Sequence, residues 1–261
     1  MLGAVVGDVV GSIYEFRGLE DKNFQPLVHP AAFFTDDTVL TVAVADALLH
    51  NRDVVEAFKD WGHRYPDSGW GGSFAKWLFS DETRPYGSYG NGAAMRVSPA
   101  AFLATSLDEA RRLARKVTEV THDHPEGLRG AEAAVTAIFL ALQGERAHTI
   151  RAQIERDFEY ALPPSPEVIR PSYVFNETCQ GTVPEAIVCA LEARDYEDAV
   201  REAVSLGGDA DTLGAITGAI AEALYGLPDD IGRQVWKKLP REMRVIIEQL
   251  YAAKGAVLPV G

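Results

Sequence analysis

Apolar residues recur at helical spacing through most of this chain, and the predicted elements follow from that period. After residue 105, Ser106 or Asp108 is placed to cap a helix whose apolar residues face inward. Pro184 and Gly226 lie near a predicted start and just past a predicted end, their usual positions. Because runs of β-branched residues with period two are absent, the pattern predicts an all-α fold. The predicted helices are Asp36–Asn51, Ser106–Val120, Pro125–Leu142, Val183–Ala193, Asp195–Leu206, Asp211–Tyr225 and Glu242–Ala253.

Two proline-containing stretches, Arg17–Phe34 and Leu162–Gln180, show no clear period. Apolar residues continue through both, so we interpret them as loops of one domain spanning residues 1–261 rather than as linkers. Long loops inside compact domains are often lids or binding loops.

The composition is that of an acidic globular protein. Its 261 residues include 25 Lys and Arg against 38 Asp and Glu, a formal charge of −13. A phosphate backbone would repel this surface, so nonspecific nucleic-acid binding is not expected. The first residues carry no basic leader, and no apolar run reaches the length of a membrane span, so we expect a cytoplasmic protein, by default a monomer. Cys179 and Cys189 are too few for a disulfide framework and lack zinc-site spacing, which indicates buried thiols.

Two acidic clusters, Thr35–Thr38 and Gly207–Thr212, each directly precede an apolar helix. A helix cap would explain one Asp or Thr in each cluster, at about 1 kcal/mol. Each cluster, however, supplies two carboxylates, and four converging carboxylates repel one another unless cations lie between them. Oxygen ligands of this kind suit Mg²⁺, Mn²⁺ or Ca²⁺, so the pair of clusters predicts a site for one or two metal ions.

The first helical segment carries Gly3, Gly7 and Gly11, a stripe that lets another helix backbone approach closely. Asp8 and Glu15 are spaced i, i+7, which on one continuous helix places them on the same face. Helix packing explains the glycines. The carboxylates are open to three interpretations: a cap, a salt-bridge partner or a catalytic base.

Two further segments combine polar residues with a turn. Gly90–Gly92 precedes a short helix, an arrangement typical both of an anion site and of an ordinary capped turn. His122 and His124 flank Asp123, which fits either a metal site or a polar turn between helices.

Taken together and in order, these segments resemble the ADP-ribosylglycohydrolase family, which includes the dinitrogenase-reductase-activating glycohydrolases of bacteria. The shared motifs include GDVVGSIYE from residue 7, TDDT at 35–38 and GGDADTLGAI from residue 207, and the resemblance covers nearly the whole chain. It implies a single compact domain of orthogonal α-helices with a binuclear site for two divalent cations, Mg²⁺ or Mn²⁺.

Carried over position by position, the resemblance assigns three kinds of role. Glu15 and Asp37 would serve in catalysis, whereas Asp8 would support the site or the fold. The implied metal ligands are Thr35, Asp36, Asp37, Asp209, Asp211 and Thr212. The implied substrate-binding residues are Ser88, Gly90, Asn91, Gly92 and His122.

The activity that the resemblance implies is hydrolysis of the α-glycosidic bond between C1″ of ADP-ribose and an acceptor, in an ADP-ribosylated protein or a small ADP-ribose conjugate. Arginine-directed relatives often carry an acidic residue where this chain has Ser88, and the Tyr-Glu end of the first motif is closer to the serine-directed branch. The acceptor is therefore left open between Arg and Ser.

Two alternatives compete with this interpretation. An HD-type metal phosphohydrolase would use His122 and Asp123 with His63 and a later Asp, but it leaves both acidic clusters without a role. A non-catalytic ADP-ribose-binding member of the same family would have lost metal ligands, and all six are present.

Overall fold

The helical period is realised as fourteen α-helices without a β-strand, in a computed structural model that describes residues 1–261. The all-α prediction is confirmed. The helices are α1 Leu2–Gly11, α2 Asp36–Leu49, α3 Val54–Arg64, α4 Gly72–Leu78, α5 Ser98–Leu103, α6 Leu107–Thr118, α7 Pro125–Leu142, α8 Ala147–Phe158, α9 Pro166–Ile169, α10 Cys179–Leu191, α11 Tyr196–Val204, α12 Ala210–Tyr225, α13 Asp229–Trp236 and α14 Arg241–Lys254. No helix is long and apolar enough to cross a membrane.

Side-chain caps fix several of the predicted helix starts. Ser106 accepts a hydrogen bond from the Glu109 N–H at 3.2 Å and so begins α6, and Asp195 caps α11 in the same way. The predicted start of α10 is wrong. Thr178 caps that helix by accepting from the Gly181 N–H at 3.2 Å, so the helix begins at Cys179 and Pro184 lies inside it.

The end of α1 also differs from the prediction. The helix ends at Gly11, and the Tyr14 N–H then donates to the Gly11 carbonyl at 2.8 Å, the tighter spacing of a turn. The Tyr14 ring packs edge-on against Phe24, with ring centroids 5.2 Å apart. Glu15 therefore lies in a turn beyond the helix and not on a shared helical face with Asp8.

The predictions omitted six helices, and four of these have eight residues or fewer. Such short helices give too few turns for a helical period to be recognised. One of them, α9, lies inside the stretch 162–180 that was predicted to be irregular. The stretch 17–34 has no helix, as predicted, although Phe24, Leu27 and Val28 within it are buried.

The contact between α1 and α12 determines where the acidic clusters lie. A Cβ added to Gly7 would stand 1.8 Å from the Gly214 carbonyl oxygen, so the two backbones touch where neither residue has a side chain. This confirms the predicted role of the glycine stripe in packing. Helix α1 also packs against α2, and a core of 79 buried hydrophobic residues runs through the molecule. The first turns of α2 and α12 consequently both lie beside α1, where α2 contacts Asp8 and α12 contacts Gly11.

Candidate active site

A polar cleft of about 240 Å³ opens where the turn after α1 meets the first turns of α2 and α12. Only four of its 21 lining residues are hydrophobic. Glu15, Asp209 and Asp211 each direct a carboxylate oxygen into one cluster, and these three atoms lie within 4.8 Å of one another. The spacing of the sequence motifs therefore corresponds to a real convergence of carboxylates.

Asp37 joins this cluster from the first turn of α2. Its Oδ2 accepts a hydrogen bond from the Thr212 hydroxyl at 3.3 Å, which links the starts of α2 and α12. Its Oδ1 is buried and has no hydrogen-bond partner. A buried carboxylate oxygen without a donor is costly for a protein, and a bound cation is one of the few groups that would satisfy it.

Burial and repulsion between carboxylates act together in the cleft. Burial, with the neighbouring Asp211 carboxylate second, raises the pKa of Asp36, Asp37 and Asp209 well above the usual range. Burial and the carboxylates of Asp211, Glu177 and Asp8 raise the pKa of Glu15 to about 8. All the donor atoms of this cluster are oxygens, which are the ligands of hard divalent ions, so the residues present fit such cations.

Asp8 lies beneath the cluster and has a different environment. Its two carboxylate oxygens accept from the backbone N–H groups of Thr35 and Thr38 at 3.0 and 3.1 Å and from the hydroxyl of each. Charge-assisted bonds of this kind are among the stronger ones in proteins. Asp8 thereby fixes the start of α2 to α1, in keeping with the supporting role expected for it.

The glycine loop Gly90–Gly92 forms the opposite wall of the cleft. The Asn91 amide donates to Asp209 Oδ2 at 2.7 Å, so the loop contacts the acidic cluster directly. The Asn91 backbone N–H donates to the Glu177 carbonyl at 2.8 Å, and Cys179 N–H donates to the Tyr89 carbonyl at 2.9 Å. The segment before α10 therefore holds the loop in place.

The structure brings together all but one of the residues assigned from the sequence to catalysis, metal binding or substrate binding. The residues that line the cleft are Glu15, Asp36, Asp37, Ser88, Gly90, Asn91, Gly92, His122, Asp209, Asp211 and Thr212. Thr35 is not among them, because its hydroxyl donates to Asp8 Oδ1 at 2.8 Å and accepts from the Asp37 N–H at 3.3 Å. One lone pair of that hydroxyl stays available, and its assignment as a ligand stays a prediction.

The histidines separate into different roles. His122 is buried at the cleft, whereas His124 is exposed and caps α7 by accepting from the Glu126 N–H at 3.1 Å. His63 is exposed, contacts the Lys59 carbonyl and does not line the cleft. The ligand set of an HD-type phosphohydrolase is therefore not assembled. Cys179 and Cys189 are buried and free, as predicted.

Sequence reasoning missed several residues of the cleft, above all Arg96, Glu177 and Tyr86. Arg96 is the single charged residue within the mostly apolar run Ala93–Ala104, and that isolation was the available signal. Glu177 comes from the stretch 162–180, whose length and irregularity had suggested a binding loop.

The sequence model of the ADP-ribosylglycohydrolase family matches residues 1–257, and the chain belongs to that family. Human ADP-ribosylhydrolase ARH3 is 27% identical over 308 residues, covering 87% of this chain and 84% of that protein. ADP-ribosylarginine hydrolase Tri1 of Pseudomonas putida is 24% identical over 289 residues, covering 93% of this chain and 76% of that protein. A solved ADP-ribosylglycohydrolase-related protein complex contains a chain with a TM-score of 0.72 and 26% identity, covering 97% of this chain and 95% of that one. This membership supports a hydrolase acting on ADP-ribosylated substrates.

Proposed function

We propose that this protein is a divalent-cation-dependent hydrolase that cleaves the α-glycosidic bond between ADP-ribose and a modified Arg or Ser side chain, releasing ADP-ribose. The observation that carries the proposal is the convergence of four carboxylates beside a glycine loop, with Asp37 Oδ1 buried and unpartnered. The matching family supports the same class of substrate.

Two Mg²⁺ or Mn²⁺ ions would be held by the oxygens of both acidic clusters. The proposed ligands are Thr35, Asp36, Asp37, Asp209, Asp211 and Thr212. When bound, such ions hold ribose hydroxyls in place, lower the pKa of bound water and stabilise the developing charge. The raised pKa values of three of these carboxylates indicate that the cluster is arranged for added positive charge.

The chain's own residues would handle the proton of the attacking water. The bond from C1″ to the acceptor atom breaks with its electron pair on the acceptor, and a bond from C1″ to the water oxygen forms. Asp37 or Glu15 accepts the water proton, and Glu15 also lies where it can protonate the leaving acceptor. Burial and the neighbouring carboxylates raise the pKa of Glu15 to about 8 in the cation-free protein, and cations bound beside it would lower that pKa.

The glycine loop would bind the diphosphate and ribose of the substrate. Absent side chains at Gly90 and Gly92 let a ligand approach the backbone, and Asn91 connects the loop to Asp209. Ser88 lines the same wall and carries no charge to attract a guanidinium. The proposal therefore keeps both arginine and serine as the side chain that carries ADP-ribose. Arginine is the one that the name of Tri1 states for that protein.

Release of free ADP-ribose tests the proposal. The protein is incubated with Mg²⁺ or Mn²⁺ and with proteins mono-ADP-ribosylated on Arg or, separately, on Ser, and ADP-ribose is measured by chromatography. We expect release from one of the two substrates and its loss in EDTA. No release from either one, with cation bound to the protein, would rule out both linkages.

Replacement of Glu15 separates its role from cation binding. Glu15→Gln keeps the size of the side chain but can no longer accept a proton. We expect cation affinity within about threefold of the parent protein and a turnover lower by about 10²-fold or more. Full turnover with unchanged cation occupancy would remove Glu15 from the mechanism and leave Asp37 as the base.

A further inference from the structure

Arg96 is a fully buried cation at the floor of the cleft, and the proposed reaction gives it no task. Its Nη2 donates to the Thr121 hydroxyl at 2.8 Å, and its Nε and Nη1 have no hydrogen-bond acceptor. The face of the guanidinium lies against the Phe58 ring, 4.6 Å from the centroid. A buried cation with so few partners is unfavourable for stability, so its position calls for a functional explanation.

The hydrogen bond from Arg96 continues to His122. The Thr121 hydroxyl oxygen lies 2.8 Å from His122 Nδ1, and Arg96 Nη2 lies 3.5 Å from the same nitrogen. A guanidinium can only donate, so the Thr121 hydroxyl oxygen accepts from Arg96 and keeps its own hydrogen and a second lone pair to share with Nδ1. A proton on Nδ1 would face the positive charge of Arg96 at 3.5 Å, so the arrangement favours Nδ1 as the acceptor and the Thr121 hydroxyl as its donor.

An imidazole whose Nδ1 accepts carries its proton on Nε2 when neutral. That nitrogen points to the glycine loop, since a Cβ added to Gly92 would stand 3.3 Å from it and one added to Gly90 would stand 3.6 Å away. Burial and the charge of Arg96 both lower the pKa of His122 well below its usual range, so the ring stays neutral. The N–H accordingly faces the wall proposed to bind the diphosphate and ribose.

We propose that Arg96 and Thr121 are positioning residues that fix His122 as the Nε2–H tautomer, so that a neutral N–H donor faces the ligand oxygens at Gly90–Gly92. The alternative tautomer would turn a nitrogen lone pair toward an anionic ligand and repel it. The two residues act through His122 and touch no reacting atom. Only the nature of the ligand rests on the proposed function, because the tautomer belongs to the free protein.

The tautomer is measured in ¹⁵N-labelled protein by two-bond ¹H–¹⁵N correlation of the histidine rings, assigned with a His122→Gln variant. We expect His122 to show an unprotonated Nδ1 and a protonated Nε2 from pH 6 to pH 8. A protonated Nδ1 overturns the proposal, whatever the enzyme is found to hydrolyse.

Variants of Thr121 and of Thr118, three positions earlier, test whether Thr121 positions His122. Thr121→Val removes the hydroxyl between Arg96 and His122, and we expect ADP-ribose to bind about tenfold more weakly in calorimetry, with Thr121→Ser restoring the affinity. Thr118→Val is the matched control, because Thr118 is buried and its hydroxyl has no partner. Equal affinity of the Thr121→Val and Thr118→Val proteins would overturn the positioning role. If ADP-ribose fails to bind the parent protein, the proposed function is wrong, and the tautomer is still decided by the ring measurement.

Discussion

Asp8 and Asp37 lie on neighbouring helices of the same core and differ in what surrounds their oxygens. Both are buried, and burial together with neighbouring carboxylates raises the pKa of each. Asp8 accepts four hydrogen bonds from Thr35 and Thr38, whereas Asp37 accepts one at 3.3 Å and leaves Oδ1 without a donor. Burial and charge alone therefore do not distinguish a supporting carboxylate from a ligating one. The number of hydrogen-bond donors around the carboxylate does distinguish the two.

The largest expected effect follows from removing the unpartnered carboxylate. Asp37→Asn should lower turnover on the order of 10³-fold and weaken Mn²⁺ binding, because an amide supplies less charge and one oxygen fewer. Turnover is measured by ADP-ribose release and Mn²⁺ binding by calorimetry. Asp53→Asn is the matched control, since Asp53 caps α3 away from the cleft and Asn caps equally well. Normal activity of the Asp37→Asn protein would contradict its assignment as ligand and base.

The next effect is on stability and should differ in sign between the two aspartates. In EDTA, Asp8→Asn should lower the free energy of unfolding by about 2–3 kcal/mol. The Asn amide nitrogen would turn its own hydrogens toward N–H or O–H donors of Thr35 and Thr38 and could not accept from them. Asp37→Asn should raise the free energy of unfolding by about 1 kcal/mol, because it removes a buried repelling carboxylate whose Oδ1 has no donor. Urea denaturation of both variants measures the difference. Equal destabilisation would show that Asp37 supports the fold in the way Asp8 does.

A third effect is a dependence of stability on pH in the cation-free protein. Burial raises the pKa of Asp8 to about 7 and that of Glu15 to about 8, so the folded state keeps protons that the unfolded chain releases above about pH 4.5. The free energy of unfolding should therefore fall as pH rises from 5 to 8, by about 1.4 kcal/mol per pH unit for each retained proton.

Urea denaturation at each pH, with and without saturating Mg²⁺, measures this dependence. Bound cations should flatten it, because they take the place of the protons on Asp37 and its neighbours. A cation-free protein that is as stable at pH 8 as at pH 5 would show that burial and neighbouring charge do not raise the pKa values of these carboxylates as described.

The sequence predicted one side of the site better than the other, for a physical reason. Asp36 and Asp37 belong to a motif at a helix start, where the Thr35 cap fixes the local geometry, and Asp211 lies in the first turn of α12. The pairing of these starts depends on the contact of Gly7 with Gly214, which a helical glycine stripe indicates without naming the partner. Arg96 was missed because its partners Thr121 and His122 come from a different part of the chain.

The position of Glu15 shows a second limit. The i, i+7 spacing is correct for a continuous helix, but the turn at Gly11 and the packing of Tyr14 on Phe24 end that helix first. Helix α10 starts earlier than predicted for a similar reason, because Thr178 caps the helix ahead of Pro184. Both errors concern helix ends, where a single hydrogen bond determines the outcome.

The Gly7–Gly214 contact has a consequence for folding. Asp37 and Thr212 are 175 positions apart in sequence, and the helices that carry them are joined through α1 at this contact. Closing a loop of that length is slow compared with forming any single helix, so the site is expected to be among the last features to assemble. Cation affinity during refolding should therefore report completion of the native topology, whereas helix content recovers earlier.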